Sequence, residues 1–321
     1  MTRIFVTGGS GFIGTNLVQS LIEDGCEVLN FDHKLPLDSR HRKYHQAGEI
    51  LDPQALQSAI EAFQPAWVVH LAARCDLGGS SLSDYTCNMS GVQNLISAVQ
   101  STGSVMRVVF ASSRYVHPTA TQPQRDDEYA PFTHYGASKA ESEKIVRSSG
   151  LEIPWVIIRP TSIWGPWFGV PYKGFFDALR KGVYVHPRGE RLYKTYGYVG
   201  NVVYQIKQFL SAPSEVVHGR TFYVADYQPL EIREMAEVIR EAFGAPPVRD
   251  VPLSVLRMMA TAGDGFRKLG WKNPPLTSFR LNNLRTQMVY DMSATQEIAG
   301  RCPYTMKEGV QATVDWIEQN G

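Results

Sequence analysis

Residues 3–14 read Arg3-Ile4-Phe5-Val6-Thr7-Gly8-Gly9-Ser10-Gly11-Phe12-Ile13-Gly14. An apolar strand runs straight into a glycine-rich turn. An amphipathic helix follows, with Phe12, Ile13, Leu17, Val18, Leu21 and Ile22 on its inner face. A dinucleotide pyrophosphate needs that order. Gly8 and Gly11 let the backbone turn tightly and approach phosphates with no Cβ in the way, and Gly14 lets the helix pack close to the strand. The helix N-terminus offers free N–H groups and a positive dipole end to an anion. Glycine spacing alone says little; its place between a strand and a helix gives it meaning.

The next strand reads Glu27-Val28-Leu29-Asn30-Phe31 and ends at Asp32. Asp32 lies 18 residues beyond Gly14 (32 − 14), near the offset of a carboxylate that bonds adenosine ribose hydroxyls. A carboxylate there repels a 2′-phosphate, so it favours NAD over NADP. His33 and Lys34 follow at once and could soften that preference. The plainer reading of Asp32 is a turn residue closing a strand.

The rest of the chain fits a parallel α/β architecture. Strands are expected at 3–7, 27–31, 66–71, 106–111, 154–158 and 221–224, with a short one near 44–47. Helices are expected at 12–24, 53–63, 85–101, 134–149, 200–211 and 230–243. Apolar strands without strict alternation imply burial on both faces, hence a Rossmann doubly wound parallel sheet. Pro, Gly and aromatic residues crowd 160–198, and 245–321 reads as short helices joined by Pro-containing loops. We expect an NAD-binding Rossmann domain over 1–160 plus about 196–225. A smaller α/β C-terminal substrate lobe would take about 161–195 plus 226–321.

Composition sets outer bounds. Of 321 residues, 43% are hydrophobic and 20% charged, enough to bury a full core. A net charge of +1 points away from nucleic-acid and membrane partners. Cys26, Cys75, Cys87 and Cys302 show neither paired nor metal-like spacing and read as free thiols. No basic and apolar leader precedes the first strand, and no apolar run approaches about 20 residues. The expectation is a soluble cytoplasmic protein that binds no metal.

Two further groups carry chemistry. Tyr135-Gly136-Ala137-Ser138-Lys139 opens a helix, and residues four apart share a face. A lysine ammonium beside the phenol would lower its pKa and make Tyr135 a proton acceptor for an alcohol. Ser113 follows the strand at 106–111, where its hydroxyl can bond a substrate oxygen. Each alone reads as a surface helix or a turn serine. Together, behind a dinucleotide turn, they read as a hydride-transfer site.

These motifs stand in register over nearly the whole chain with His70-Leu71-Ala72-Ala73, Asn88, Arg159-Pro160 and Gly165-Pro166. The chain resembles an extended short-chain dehydrogenase/reductase of the NAD-dependent epimerase/dehydratase family, whose members mostly act on nucleotide sugars. The resemblance implies NAD as cofactor and Ser113, Tyr135 and Lys139 as the catalytic trio. It implies Phe12 and Ile13 at the pyrophosphate, Glu49 and Ile50 beside the adenine, and Leu71, Ala72 and Ala73 lining the cofactor. Asn88 would support the site. Lys194 aligns with an arginine that grips the substrate diphosphate, and Arg191 is near enough to share that role. Ser162 falls near the position of a family asparagine and is a further substrate candidate. Arg74 and Arg114 are extra cations that could meet a carboxylate or phosphate, or be paired surface arginines.

The departures narrow the reaction. Dehydratases of the family carry Asp-Glu where this chain has Arg114-Tyr115, and 3,5-epimerising members carry Cys at the Tyr115 position. The expectation is a nucleotide-sugar 4-epimerase with recycled NAD. The alternatives are a reductase or dehydrogenase of a keto sugar or other carbonyl compound, or a non-catalytic dinucleotide-binding relative. The resemblance also implies a homodimer through helices 85–101 and 134–149. Val92, Leu95, Ile96 and Val99 would form its apolar stripe, unless the chain's own sheet covers them.

Overall fold

The computed structural model describes all residues except 120, 171, 272, 273, 275 and 321. Its centre is a seven-stranded parallel sheet. The strands are β1 (Arg3–Thr7), β2 (Glu27–Asp32), β3 (His45–Ala47), β4 (Trp67–His70), β5 (Arg107–Ala111), β6 (Trp155–Pro160) and β7 (Thr221–Val224). Their order is β7-β6-β5-β4-β1-β2-β3. The order reverses between β1 and β4, and a crevice opens at their C-terminal ends.

Both faces of this sheet are covered. Helices α1 (Phe12–Glu23) and α6 (Val199–Ser211) bury Leu17, Val18, Leu21, Val202, Ile206 and Phe209 on one side. Helices α2 (Pro53–Phe63), α3 (Thr86–Gln100) and α4 (His134–Ser148) bury Leu56, Ile60, Val92, Leu95, Ile96, Val99 and Val146 on the other. Each such side chain contributes about 1.5–3 kcal/mol by leaving water. Val92, Leu95, Ile96 and Val99 are therefore used by the chain's own core, and the stripe expected for a dimer is occupied from within.

Local chemistry sets the helix starts. Asp52 accepts hydrogen bonds from the Gln54 and Ala55 N–H groups ahead of Pro53, and Thr133 caps α4 through the Gly136 N–H. Helix α1 starts at Gly11 with no side-chain cap.

Beyond β6 the chain differs in detail from expectation. The aromatic stretch holds helix α5 (Tyr172–Arg180), and Leu253–Lys268 is one 16-residue helix rather than short pieces. Short strand pairs tie this part together. Ser162–Trp164 runs parallel to Tyr196–Tyr198, and Tyr193–Lys194 runs antiparallel to Leu230–Glu231. Among the described residues no helix is long and apolar enough to cross a membrane.

Candidate active site

The glycine turn is built by close approach. Gly8 sits at φ +73°, and a Cβ there would lie 2.5 Å from the Ala72 nitrogen. A Cβ on Gly14 would lie 2.2 Å from the Gly8 carbonyl oxygen. Gly11 by contrast has only that same oxygen nearby, at 3.3 Å, so its free side is open. An uncapped helix end behind an open glycine is a cradle for phosphate oxygens. Phe12 and Ile13, half-buried, form the first turn of that helix.

Asp32 closes the turn from the next strand. Its carboxylate accepts hydrogen bonds from the Ser10 N–H at 3.1 Å and the Lys34 N–H at 2.9 Å. Each oxygen keeps a lone pair for a ribose hydroxyl. Sequence reasoning missed Asn30, a buried polar residue in β2 whose amide donates to the Ser10 hydroxyl at 3.0 Å. Ile50 is buried against Gly91, whereas Glu49 is exposed. Leu71 and Ala72 hang from β1: their N–H groups donate to the Thr7 carbonyl oxygen and hydroxyl. Ala73 continues this half-buried strand end.

The trio converges next to that strand end. Tyr135, Lys139 and Ser113 are all buried. The Ser113 hydroxyl and the Cys75 thiol both interact with the Tyr135 phenol. Burial holds the phenol well above its ordinary pKa, and Cys75 adds to that while Ser113 opposes it. The Lys139 ammonium donates to the Ala111 carbonyl oxygen at 2.8 Å. Burial pushes Lys139 below its ordinary value. Burial thus outweighs the lowering of the Tyr135 pKa expected from Lys139. Desolvation dominates the phenol, and the lysine rests on a backbone carbonyl.

Asn88 ties the surroundings together. Its amide donates to the Arg74 carbonyl oxygen at 3.0 Å and to the Ser138 hydroxyl at 2.9 Å, and its oxygen accepts from the Arg74 N–H at 2.8 Å. It links the loop after β4 to α4. A second anchor, missing from the sequence reading, is Glu143, one helical turn beyond Lys139. It forms a two-pronged ion pair with Arg159 of β6 at 2.7 and 2.8 Å, both side chains 1% exposed.

The substrate candidates divide. Arg74 lies on Asp76 at 2.8 Å and on the Asp84 carbonyl oxygen. Ser162 accepts from the Tyr172 hydroxyl at 2.8 Å and is buried. Lys194 donates to the carbonyl oxygens of Asn283 and Thr286. Burial, then the charge of Arg114, push its ammonium down to about 8. Arg191 is exposed on the surface. Arg114 is buried beside Ser113, with its guanidinium 4.4 Å from the Tyr115 ring centre.

Residues 4–225 match the NAD dependent epimerase/dehydratase family. The chain is similar to the N-acetyl-alpha-D-glucosaminyl-diphospho-ditrans,octacis-undecaprenol 4-epimerase of Escherichia coli O157:H7. The two are 25% identical over 98% of this chain and 95% of that one. It is also similar to the 3 beta-hydroxysteroid dehydrogenase/Delta 5→4-isomerase of Mycobacterium tuberculosis (strain CDC 1551 / Oshkosh). That pair is 30% identical over 75% of this chain and 70% of that one. The fold matches the crystal structure of the UDP-glucose 4-epimerase of Thermus thermophilus complexed with NAD. The TM-score is 0.72 and the identity 23%, with all of both chains covered. The chain belongs to the NAD dependent epimerase/dehydratase family.

Proposed function

We propose that the protein is an NAD-dependent nucleotide-sugar epimerase of the 4-epimerase type. The observations that support this reading are the contact of the Ser113 hydroxyl with the Tyr135 phenol, Lys139 one turn along the same helix, and an open glycine turn after β1 answered by Asp32. Gly8, Gly11, Phe12, Ile13 and Gly14 hold the pyrophosphate, Asp32 the ribose hydroxyls, Glu49 and Ile50 the adenine side. Leu71, Ala72 and Ala73 form the wall beside the trio. Residues 1–160 and about 196–225 bind the cofactor. The remainder holds the substrate.

NAD, when bound, supplies a reversible hydride acceptor at the carbon that bears the reacting hydroxyl. Ser113 hydrogen-bonds that hydroxyl and orients it. Tyr135 takes its proton and later returns it. Lys139, one turn along α4, is the cation that supports the phenolate at that moment. Its ammonium keeps two N–H groups beyond the one on the Ala111 carbonyl, and burial makes its charge strongly felt. Ser162, Lys194, Arg191 and Arg74 are the candidates that would meet the substrate.

A second reading, a carbonyl reductase or dehydrogenase, draws on the 30% identity to a dehydrogenase. Dinucleotide released from freshly purified protein by gentle denaturation separates the two. Near-stoichiometric NAD with isomerisation of UDP-sugars supports the epimerase. Exchangeable cofactor with net NADH consumption supports the reductase. Under either reading Tyr135→Phe should cut turnover about 10²–10⁴-fold while NAD binding holds. Unchanged turnover would remove Tyr135 from the mechanism.

A further inference from the structure

Among the described residues Arg107, Arg114 and Arg159 are buried, and each but Arg114 makes three hydrogen bonds. Arg159 meets the Glu143 carboxylate. Arg107 donates to the carbonyl oxygens of Phe209 and Ala212 and to the Ser214 hydroxyl. Arg114 is the exception. It is 7% exposed, its Nε, like that of Arg107, has no partner, and among the described residues its guanidinium reaches only the Thr119 hydroxyl, at 3.2 Å. Among the described residues no carboxylate pairs with it. The nearby Lys194, also buried, has carbonyl oxygens and no carboxylate. An uncompensated buried cation is costly, and an incoming anion would offset that cost.

Place decides which anion. Arg114 follows Ser113 directly and stacks on Tyr115, whose ring lies 5.8 Å from that of Tyr135. The guanidinium is thus one aromatic ring from the reacting phenol. A nucleotide diphosphate sits several bonds from a sugar's reacting carbon, whereas a carboxylate on the ring carbon next to it is adjacent. Arginine's planar fork matches a carboxylate with two parallel hydrogen bonds. We infer that Arg114 is a specificity-determining residue for a substrate carrying a carboxylate beside the carbon that Tyr135 and Ser113 address. In the nucleotide-sugar reading, on which the substrate class rests, that substrate is a uronic-acid sugar nucleotide.

The test uses charged–neutral pairs: UDP-glucuronate against UDP-glucose on NAD-loaded protein, and acetoacetate against butan-2-one on protein supplied with NADH. Wild type should prefer the charged member at least about tenfold in kcat/KM or affinity, as a charge-assisted hydrogen bond does. Arg114→Met should abolish the preference through loss on the charged probe. Arg114→Lys should restore part of it. Equal handling of both members, or a preference that survives Arg114→Met, overturns the inference, and so does failure of both charged probes to bind. Isomerisation of UDP-glucose as readily as UDP-glucuronate sinks the inference but spares the epimerase. A charge preference confined to acetoacetate, with no sugar isomerised, does the reverse. Thermal midpoints within a few degrees of wild type show that each variant is folded.

Discussion

Replacing Glu143 with Gln tests whether the buried ion pair fixes α4 against the sheet. The substitution keeps the shape and removes the charge, leaving Arg159 at 1% exposure without its carboxylate. Breaking a buried pair in this way costs about 3–5 kcal/mol. Arg159 keeps the Asp126 carbonyl at 2.7 Å and lies over the Tyr129 and Tyr223 rings at 5.8 and 5.7 Å. The expected loss is therefore at the lower end, about 3 kcal/mol, or about a hundredfold in the folded-to-unfolded ratio. Urea unfolding followed by fluorescence and circular dichroism measures it. The double variant Glu143→Leu/Arg159→Met should recover most of the loss, since an apolar pair carries no stranded charge. A loss under about 1 kcal/mol, or a double variant no better than Glu143→Gln, would refute the argument.

Three further outcomes follow from the geometry. Gly8→Ala combines a left-handed φ of +73° with a Cβ 2.5 Å from the Ala72 nitrogen. It should cost about 2–4 kcal/mol and weaken NAD binding at least about tenfold by titration calorimetry. Asn88→Ala strands the Arg74 N–H and carbonyl and removes the donor to the Ser138 hydroxyl, which keeps its bond to the Tyr135 carbonyl, so about 2–3 kcal/mol should be lost in urea. Its kcat should fall more than its NAD affinity. For Lys194 the folded pKa of about 8 lies below the unfolded 10.5, so the unfolded chain binds more protons between them. The cost of burying this charge is full below about pH 8 and is relieved as pH rises toward 10.5, a gain of about 3 kcal/mol. The difference in denaturant midpoint between wild type and Lys194→Met, followed against pH, should show that rising slope.

The sheet was readable because β1, β4, β5 and β6 are apolar runs that needed burial on both sides, and every expected helix of the first half recurs within a residue or two. The pairs at Tyr193–Lys194 and Leu230–Glu231 were not, because two-residue strands leave no period to detect. The helix Leu253–Lys268 carries exposed Met258, Met259 and Phe266 besides its buried face, and glycines at 263 and 265 mimic breaks. Gly263 is there because a Cβ would run into the Leu276 carbonyl. At the site, the four-residue spacing put Tyr135 and Lys139 on one face, as found. Where the Lys139 ammonium rests depends on β5, a tertiary contact that helical spacing cannot carry. The Arg74–Asp76 pair was within reach of the sequence, two residues apart on one loop.

Asp32 has a consequence for any attempt to change the coenzyme. The carboxylate that would turn away a 2′-phosphate also holds the Ser10 and Lys34 N–H groups. Ser10 in turn is held by Asn30 and by the Lys34 carbonyl. On the proposed reading, selectivity and the loop's shape thus depend on the same two oxygens. Exchanging Asp32 for a small neutral residue removes the repulsion and unfastens the loop together. A redesign toward NADP must therefore supply a new acceptor for Ser10 before it supplies a cation for the phosphate.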